Sequence, residues 1–342
     1  MSQTLSPIVE PLLGWFEQNK RDLPWRQDKE LYHVWISEIM LQQTRIEAVM
    51  NYYARFIEAL PDVKNLSEVD DDALMKLWEG LGYYSRARHL KKAAVMIMRE
   101  YGGAFPQTFI ELKKLPGIGE YTAGAIASIC FDEKVPAVDG NVLRVIARVQ
   151  GSRENVLLPE VKKSVAEQIS KIMPDEAGAF NEGLMELGEL ICLPNGAPLC
   201  EKCPLKEYCT AYQNNLTAEI PVRIKTVKRR RADLSVFIIT ASDGRIALEK
   251  RPDTGLLQGL YQLPNIEDFH DDASLINTLQ EWGLQPKRMD YIKDAKHVFT
   301  HIDWHMKAYR VETDHTSDRF IWTTEEELAG AYPLPTAFQK LL

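Results

Sequence analysis

The chain has 342 residues, a formal net charge of −8 and five cysteines; 45% of its residues are hydrophobic and 26% are charged. This composition indicates a globular protein of about two domains and excludes a disordered or collagen-like chain. No run approaches the ~18 consecutive apolar residues of a membrane span, and residues 1–20 lack the features of a signal peptide. We therefore expect a cytoplasmic protein without a membrane partner, in which clustered cysteines bind metal rather than form disulfides.

The first 212 residues predict a helical domain, because apolar residues recur at three- and four-residue spacing. Residues 31–42 predict a largely buried helix, and on a helical wheel Glu38 falls outside its polar stripe, beside Val34 and Trp35. A carboxylate among apolar neighbours loses hydration, which raises its pKa and suits it to act as a general acid near neutral pH. The alternative interpretation is a glutamate at the helix edge that reaches water.

Two short segments follow that carry polar or glycine signals at helix starts. In the segment 115–119, Gly117 and Gly119 permit a tight turn, and free N–H groups at the start of the next helix would bind a phosphate. A plain connection between two helices is the alternative. Asp139 precedes the apolar-periodic run 142–149, so an N-cap alone would explain it. A carboxylate fixed in that way would also stabilise a developing cation.

The cysteines of residues 192–209 form a cluster with the spacing Cys-x7-Cys-x2-Cys-x5-Cys. Four such residues are candidate metal ligands: Cys192, Cys200, Cys203 and Cys209. Zinc modules usually pair two Cys-x2-Cys knuckles, and only one is present, so the pattern favours an iron–sulfur cluster over zinc. The prolines and the glycine between them predict a loop.

The pattern changes after a basic stretch. Residues 220–231 hold six basic and no acidic residues, which indicates either a solvated linker or a linker that also touches phosphates. Beyond it, residues 235–248 predict a hairpin around Asp243-Gly244, and residues 273–282 predict a helix. The second domain is therefore expected to be α+β.

Four of these features occur in one order: the segment 38–44, the hairpin 115–119, the segment 138–142 and the cysteine loop. As a set they resemble the helix–hairpin–helix DNA glycosylase superfamily and, within it, the adenine DNA glycosylases of the MutY type. The resemblance covers nearly the whole chain. It implies a multidomain protein, whose all-α helix–hairpin–helix domain with its iron–sulfur loop is followed by an α+β Nudix-like domain. The implied boundaries are residues 1–214 for the helical domain with its iron–sulfur loop 192–209, 215–231 for the basic linker and 232–342 for the Nudix-like domain.

The resemblance also implies a reaction, the hydrolysis of the bond between adenine and deoxyribose in base-excision repair. Glu38 matches the family's proton donor, and Asp139 matches the carboxylate that stabilises the sugar cation, electrostatically or by transient covalent attack; Tyr121 and Asn141 complete the implied catalytic set. The four cysteines would hold one 4Fe–4S cluster with a structural role. Their first gap has seven residues where the family usually has six.

The implied partner is double-stranded DNA containing adenine opposite 8-oxoguanine or guanine, bound by a monomer. Leu81, Tyr83 and Gln43 would wedge into the base stack, while Arg26 and Glu182 would line the adenine pocket. In the Nudix-like domain, the segment 299–301 matches the loop that contacts 8-oxoguanine. The complete implied DNA-contact set is Arg26, Gln43, Thr44, Leu81, Tyr83, Gly117, Gly119, Glu182, Phe299, Thr300 and His301.

Two positions separate this reading from related activities. Relatives such as endonuclease III carry a nucleophilic lysine two residues after the second glycine of the hairpin, where this chain has Tyr121, so we expect a monofunctional glycosylase. The segment 277–284 lacks the clustered glutamates with which a Nudix hydrolase holds Mg²⁺. An endonuclease III-like glycosylase for oxidised pyrimidines and a non-catalytic iron–sulfur DNA-binding protein are the alternatives.

Overall fold

The computed structural model of the protein describes residues 4–224 and 228–342, so residues 225–227 of the predicted linker lie outside the described residues. The chain divides into two compact units. One comprises Met1–Glu68 and Arg88–Lys225, and the other comprises Val69–Ala87 and Thr226–Leu342. The domain boundaries derived from the sequence remain a prediction. The sequence analysis does not predict that residues 69–87 group with the second unit.

Helices account for most of the chain before the sheet, as the apolar spacing predicts. They are α1 Val9–Asn19, α2 Leu31–Leu41, α3 Ile46–Ala59, α4 Val63–Glu68, α5 Asp71–Leu77, α6 Ser85–Glu100, α7 Phe109–Leu112, α8 Glu120–Phe131, α9 Gly140–Gln150, α10 Pro159–Ser170, α11 Ala177–Leu190 and α12 Thr210–Gln213.

The centre of the first unit is built by close helix packing. Helix α8 packs against α2 and α11, and α11 also packs against α1 and α9. Small residues permit the approach: a Cβ at Gly124 would lie 2.4 Å from the carbonyl oxygen of Pro136, and a Cβ at Gly178 would lie 2.7 Å from that of Ser128. This packing brings side chains of α2, α8 and α11 and the start of α9 to a common pocket.

The second unit contains a mixed sheet. Its strands are β1 Arg230–Ala241, β2 Ile246–Lys250, β3 Tyr261–Gln262, β4 Asn265–Glu267, β5 Pro286–Val298, β6 Ile302–Thr313 and β7 Ile321–Thr323. The main strand order is β3-β2-β1-β6-β5, with β4 paired to β1 and β7 to β2. Strands β1 and β6 run parallel, whereas β1–β2 and β5–β6 are antiparallel. The hairpin predicted around Asp243-Gly244 is therefore confirmed.

Helices cover the two faces of this sheet. Helix α13 (Asp272–Glu281) packs its Leu275 and Leu279 with Phe237 and Ile239 of β1. The opposite face buries a second apolar cluster that includes Phe338 of α15 (Thr336–Gln339); α14 is Glu325–Gly330. Alternate residues of a strand point to opposite faces of the sheet. Because both faces of this sheet are covered, the central run of β1 is buried on both sides.

The strand β1 begins earlier than the sequence pattern predicts. Arg230 and Arg231, which the sequence assigns to the linker, pair with Ile302 and Asp303 of β6. The backbone N–H of Arg230 donates to the carbonyl oxygen of His301 at 2.9 Å. Backbone pairing with β6 holds these basic residues in the sheet although their side chains are exposed. Within residues 4–224 and 228–342, none of the helices has the length and apolar character needed to cross a bilayer.

Candidate active site

One pocket of the first unit gathers several of the residues singled out by the sequence. It lies among α2, α8, α9 and α11, and its lining mixes ionisable and apolar side chains. The lining residues are Arg21, Leu23, Trp25, Arg26, Val34, Ser37, Glu38, Leu41, Ile46, Tyr121, Ile129, Asp139, Asn141, Glu182, Met185, Glu186 and Glu189. All four predicted catalytic residues and both predicted adenine-pocket residues are therefore in this one pocket.

Glu38 is the carboxylate of α2 in this pocket, and only 7% of the residue is exposed. The hydroxyl of Tyr121 donates to its Oε2 at 2.9 Å. Burial raises the pKa of Glu38 to about 7; the Tyr121 hydrogen bond lowers it, and the nearby carboxylates of Glu182 and Asp139 raise it. Glu38 is therefore a carboxyl group that holds and releases a proton near neutral pH, and the burial expected from the helical wheel is confirmed.

Tyr121 lies on α8 and faces Glu38. Its hydroxyl oxygen is also 3.4 Å from the sulfur of Met185. Burial and the neighbouring carboxylate of Glu38 hold the pKa of Tyr121 above its usual value. The side chain is therefore a neutral phenol that donates a hydrogen bond to Glu38.

Asp139 is the N-cap of α9, as the sequence predicts. Its Oδ1 accepts from the N–H groups of Asn141 at 2.9 Å and Val142 at 2.8 Å, and its Oδ2 accepts from Nδ2 of Asn141 at 2.9 Å. Burial raises the pKa of Asp139, while these hydrogen bonds and Arg144 oppose that rise. Three donors thus fix the orientation of the carboxylate before any substrate is present.

The opposite side of the pocket is an ion network on α11. Arg26 donates from Nε to Glu182 at 2.7 Å and from Nη2 to Glu186 at 3.1 Å. Arg21 donates to Glu186 from its side-chain Nε at 2.7 Å. Burial would raise the pKa of Glu186, but the hydrogen bonds from Arg21 and Arg26 outweigh it and hold that pKa at about 2.

The glycine hairpin precedes α8 as predicted. Gly117 has a φ of +78°, and a Cβ there would lie 2.5 Å from the Cβ of His89, so both backbone conformation and space require glycine. Gly119 is the N-cap of α8 and makes no side-chain cap hydrogen bond. The N–H groups of the first turn of α8 therefore have no capping side chain at Gly119.

Two predicted wedge residues have left-handed backbones, which is uncommon outside glycine. Gln43 in the first unit has a φ of +59°, and Tyr83 in the second unit has a φ of +47°. Tyr83 is 45% exposed, whereas Leu81 is only 6% exposed and so lies under the surface. Thr44, next to Gln43, places its hydroxyl 3.4 Å from the carbonyl oxygen of Gln42. Such strained positions occur preferentially at functional sites.

The loop of residues 80–84, here called the wedge loop, is held by its own neighbours. The indole N–H of Trp78 donates to the carbonyl oxygen of Gly82 at 3.1 Å. The guanidinium of Arg86 donates to the carbonyl oxygens of Leu81 and Gly82 and lies 5.7 Å from the ring centroid of Tyr83. The side chains of Trp78 and Arg86 therefore brace the backbone of the wedge loop.

The four clustered cysteines are all free and partly buried. Burial is the main cause that raises the pKa of Cys203 to about 12, and the thiols of Cys192, Cys209 and Cys200 contribute to this rise, so they lie within electrostatic reach of Cys203. Arg148 donates to the Sγ of Cys192 at 3.2 Å. Four reduced thiols with a cationic donor at one sulfur fit an iron–sulfur cluster.

Helix α9 connects the cysteine loop with Asp139. Arg144 donates from Nε to the carbonyl oxygen of Cys192 at 2.7 Å and from Nη2 to Oδ1 of Asn141 at 2.9 Å. Asn141 in turn donates to Asp139. A continuous path of hydrogen bonds therefore runs from the backbone of the cysteine loop to the carboxylate in the pocket.

In the second unit, the predicted lesion-contact loop joins β5 to β6. Thr300 and His301 are exposed, whereas Phe299 is half-buried with its ring edge-on to Trp304 at 4.8 Å. The N–H of Phe299 donates to the carbonyl oxygen of Ile302 at 2.9 Å. Phe299 thus anchors a tight turn that presents the two polar side chains to solvent.

No cluster of metal-binding side chains occurs on α13 in the part of the chain that the structure describes. Across that part, the only group of carboxylate, imidazole or thiol side chains close enough together to share one ion is Asp28, Glu30 and His33, of which the first two are exposed and His33 is half-buried. Helix α13 uses Leu275 and Leu279 to pack on the sheet and offers solvent a face with no glutamate before Glu281.

Sequence reasoning missed several residues of the site. The missed Glu186 lies four residues after the predicted Glu182 on α11, and the missed Arg144 and Arg148 lie four apart on α9, so each pair shares a helix face. Charged pairs at that spacing in otherwise apolar helices are a signal that would have found them. No local signal points to Arg21, because its partner Glu186 is 165 residues away.

Comparison with known proteins places these sites in a family. Residues 36–174 match the family model described as HhH-GPD superfamily base excision DNA repair protein, and residues 235–342 match a NUDIX domain. The chain is 33% identical to an adenine DNA glycosylase of Mus musculus, covering 96% of this chain and 76% of the relative. It is 35% identical to one of Buchnera aphidicola subsp. Schizaphis graminum, covering 89% and 87% respectively.

Among solved structures, a thermostable thymine-DNA glycosylase is similar with a TM-score of 0.56 and 30% identity, covering 61% of this chain and 96% of that one. That match confirms the fold of the helical part. The curated relatives extend over nearly the whole chain and therefore include the NUDIX-like part as well. The protein is a member of the adenine DNA glycosylase family.

Proposed function

We propose that this protein hydrolyses the N-glycosidic bond of adenine mispaired with 8-oxoguanine or guanine in duplex DNA, without cutting the backbone. The observation that carries the proposal is the buried Glu38, whose pKa of about 7 is set by burial, in one pocket with the fixed carboxylate of Asp139. Membership of the adenine DNA glycosylase family supports the choice of base.

Glu38 supplies the proton that adenine needs in order to leave. Adenine is a poor leaving group until a ring nitrogen is protonated, and a carboxyl group with a pKa near 7 is about half protonated at neutral pH. Because the hydroxyl of Tyr121 donates to Oε2 of Glu38, the transferable proton is held on Oε1. A target base reaches this pocket only after leaving the duplex.

Asp139 stabilises the oxocarbenium-like sugar that bond cleavage leaves. Its three hydrogen-bond donors favour the ionised form, and they hold the charge in one place so that no reorganisation is required during the reaction. Two carboxyl groups in different environments thus divide the acid and anion roles, as in glycosidases. Asn141 acts through Asp139 and is a positioning residue.

Arg26 and Glu182 recognise the extruded base. They form a salt bridge at the pocket wall, with 17% and 12% of their side chains exposed. A guanidinium donor beside a carboxylate acceptor matches the alternating acceptors and amino group on the edge of adenine. The exchange of this salt bridge for contacts with the base favours adenine over pyrimidines.

The remaining contacts are assigned to the duplex. Gln43, Leu81 and Tyr83 enter the base stack, with Thr44 alongside, and the turn at Gly117 and Gly119 binds a backbone phosphate through N–H groups. Insertion of Leu81 requires it to leave its buried position. Phe299, Thr300 and His301 read the base opposite adenine, and the hydroxyl of Thr300 supplies a hydrogen bond.

One 4Fe–4S cluster would be held by Cys192, Cys200, Cys203 and Cys209. When bound, this cluster would hold the cysteine loop in its folded conformation. Arg144 and Arg148 tie that loop to α9, which carries Asp139. The protein is proposed to act as a cytoplasmic monomer, with the helical domain ending near residue 214 and the lesion-reading domain beginning near residue 232.

A single-turnover assay on duplexes that differ at one pair tests the proposal. The pairs are adenine opposite 8-oxoguanine, adenine opposite thymine and thymine glycol opposite adenine, each with Glu38→Gln and with the exposed-site control Glu47→Gln. Strand cleavage is read with and without hot alkali. We expect adenine release from the first duplex, visible after alkali, retained in Glu47→Gln and lowered about 100-fold or more in Glu38→Gln.

Other outcomes would redirect the assignment. Cleavage of the thymine glycol duplex without alkali would place the activity with enzymes that use an amine nucleophile and would contradict the role given to Tyr121. Binding of lesion duplex with no base release from any substrate would leave a non-catalytic DNA-binding protein.

A further inference from the structure

The segment of residues 69–87 is held by the second unit, although helices of the first unit precede and follow it in sequence. It contains α5 and the wedge loop with Tyr83. Three charged side chains of this segment, Asp72, Lys76 and Glu79, make direct polar contacts with strands, a helix and a loop of residues 228–342. None of these three was a candidate site residue in the sequence.

Asp72 forms the first anchor. The ammonium of Lys250, at the end of β2, donates to both carboxylate oxygens of Asp72 at 3.0 Å. The hydroxyl of Tyr261 in β3 donates to Oδ2 of Asp72 at 2.9 Å, and the Lys250 ammonium lies 5.1 Å from the ring centroid of Tyr261. One carboxylate thus meets two adjacent strands of the sheet.

Lys76 and Glu79 form the second anchor. The ammonium of Lys76 donates to the carbonyl oxygen of Leu328 at 3.1 Å, and Oε1 of Glu79 accepts from the N–H of Leu334 at 2.7 Å. The two side chains also pair with each other at 2.7 Å and are only 20% and 15% exposed. Contacts to backbone groups fix position more tightly than contacts to mobile side chains, because the backbone of a folded domain has little freedom.

A short and stiff path joins these anchors to the wedge loop. Helix α5 ends at Leu77, and the next residue, Trp78, is fully buried and donates to the carbonyl oxygen of Gly82. Tyr83 follows Gly82 directly and has the left-handed φ of +47°. A displacement of α5 is therefore passed to Tyr83 through the buried Trp78 and its hydrogen bond to Gly82.

The same sheet carries the loop of residues 299–301. That loop joins β5 to β6, β6 pairs with β1 along its length, and β1 pairs with β2, which bears Lys250. The loop of residues 299–301 and the Asp72 anchor are therefore both carried by this sheet, and Leu328 and Leu334, which meet the second anchor, pack in the apolar cluster on one of its faces.

We propose that Asp72, Lys76 and Glu79 are positioning residues that lock the wedge loop to the NUDIX-like part of the chain, Asp72 to its sheet and Lys76 and Glu79 to the segment of residues 328–334, and thereby set the preference for 8-oxoguanine over guanine opposite adenine. This inference rests on the proposed function. When the sheet docks on 8-oxoguanine, the lock carries Tyr83 into the stack at a fixed offset. Without these contacts, binding of the sheet to 8-oxoguanine and insertion of Tyr83 into the base stack become independent. Binding of the lesion then no longer favours the insertion of Tyr83.

Charge exchange at Asp72 and Lys250 in the full-length protein tests the lock. The variants are Asp72→Lys, Lys250→Asp and the double exchange, with Asp314→Lys as a control of equal charge change at the exposed pair Lys287–Asp314. Single-turnover adenine release is measured over a range of enzyme concentrations on 8-oxoguanine and guanine duplexes. We expect each single exchange to lower the preference about fivefold to tenfold, with an unchanged saturating rate on the guanine duplex, and the double exchange to restore most of it.

Other results of these assays would overturn the proposed role of Asp72, Lys76 and Glu79. A preference unchanged in both single variants, or one lost equally in the singles and the double, would overturn the inference. If a charge exchange prevents folding, Tyr261→Phe removes one hydrogen bond to Asp72 and is expected to lower the preference in the same direction by about twofold; no change would overturn the inference. Failure of the wild-type protein to release adenine from every duplex would instead refute the proposed function.

Discussion

The two sides of the pocket shift the pKa of a buried glutamate in opposite directions. On the α2 side, Glu38 is 7% exposed and its pKa is raised to about 7 by burial. On the α11 side, Glu186 is 2% exposed and its pKa is lowered to about 2, because burial is outweighed by hydrogen bonds from Arg21 and Arg26. Burial alone therefore does not determine the protonation state of a carboxyl group.

The difference lies in the partners. Glu186 has two guanidinium partners and remains ionised, so it organises the pocket wall. Glu38 has a phenol as its hydrogen-bond partner and two carboxylates nearby, so its neutral form is favoured. The pocket thus separates a structural carboxylate from a proton-carrying one by the placement of arginines.

Removing the charge of Glu186, the partner of Arg21 and Arg26, should have the largest effect on the free energy of unfolding. Glu186→Gln removes the carboxylate from two arginines that are only 26% and 17% exposed, and we expect the free energy of unfolding at pH 7 to fall by about 3–5 kcal/mol. Because the pKa of Glu186 is lowered, its stabilisation is present above about pH 4.5 and is lost as the pH falls toward 2.

Urea unfolding at pH 7 and pH 3 measures this loss. The matched control is Glu189→Gln, which removes a more exposed partner of the same Arg21 and should cost less than about 1 kcal/mol. Equal losses in the two variants would mean that burial at Glu186 does not matter.

Neutralising Glu38 should change the free energy of unfolding in the opposite direction. The pKa of Glu38 is raised in the folded protein, so its ionisation opposes folding increasingly between pH 4.5 and 7 and fully above pH 7. Glu38→Gln should therefore increase the free energy of unfolding by about 3 kcal/mol at pH 8 and by much less at pH 5. Urea titrations at the two pH values measure the difference; a gain that is independent of pH would contradict the raised pKa.

The rate of base release should reveal the same titration. With Glu38 required in its protonated form, the single-turnover rate should fall about fivefold from pH 7 to pH 8. Toward acid pH the rate should fall again as Asp139 protonates, at a pH above the usual range of an aspartate because its pKa is raised. A rate that is flat between pH 7 and 9 would exclude Glu38 as the acid.

The smallest effect is expected at Tyr121. Its hydrogen bond lowers the pKa of Glu38, so Tyr121→Phe should move the alkaline limb of the rate profile upward by about one pH unit or less. The partly exposed Tyr101 provides the control Tyr101→Phe, which should leave the limb in place. A shift of the limb to lower pH would contradict the direction assigned to this hydrogen bond.

Local sequence patterns predict part of this site. A helical wheel places Glu38 outside the polar stripe but leaves open a helix-edge position that reaches water, whereas an aspartate before an apolar run predicts the cap at Asp139. The pKa of Glu38 also depends on Tyr121 and Asp139, which come from other helices. No pattern within 10 or 20 residues carries that information.

The contacts of Arg21 and Asp72 show the same limit more strongly. The partners of Arg21 in α11 lie 165 and 168 residues away, and Lys250 lies 178 residues from Asp72. An exposed-looking charge in a short helix gives no sign of a distant partner. The alternation in strands β1 and β2 predicts their hairpin, whereas the parallel pairing of β1 with β6 depends on the folded topology.

Strand β5 stands at one end of the main strand order, with β6 as its partner. The free edge of a strand of 13 residues is a template for a second copy of the chain. Six of these residues are charged, namely Lys287, Arg288, Asp290, Lys293, Asp294 and Lys296, and the register shifts twice along the strand. Charge and irregularity on this edge therefore oppose self-association of the chain by strand addition.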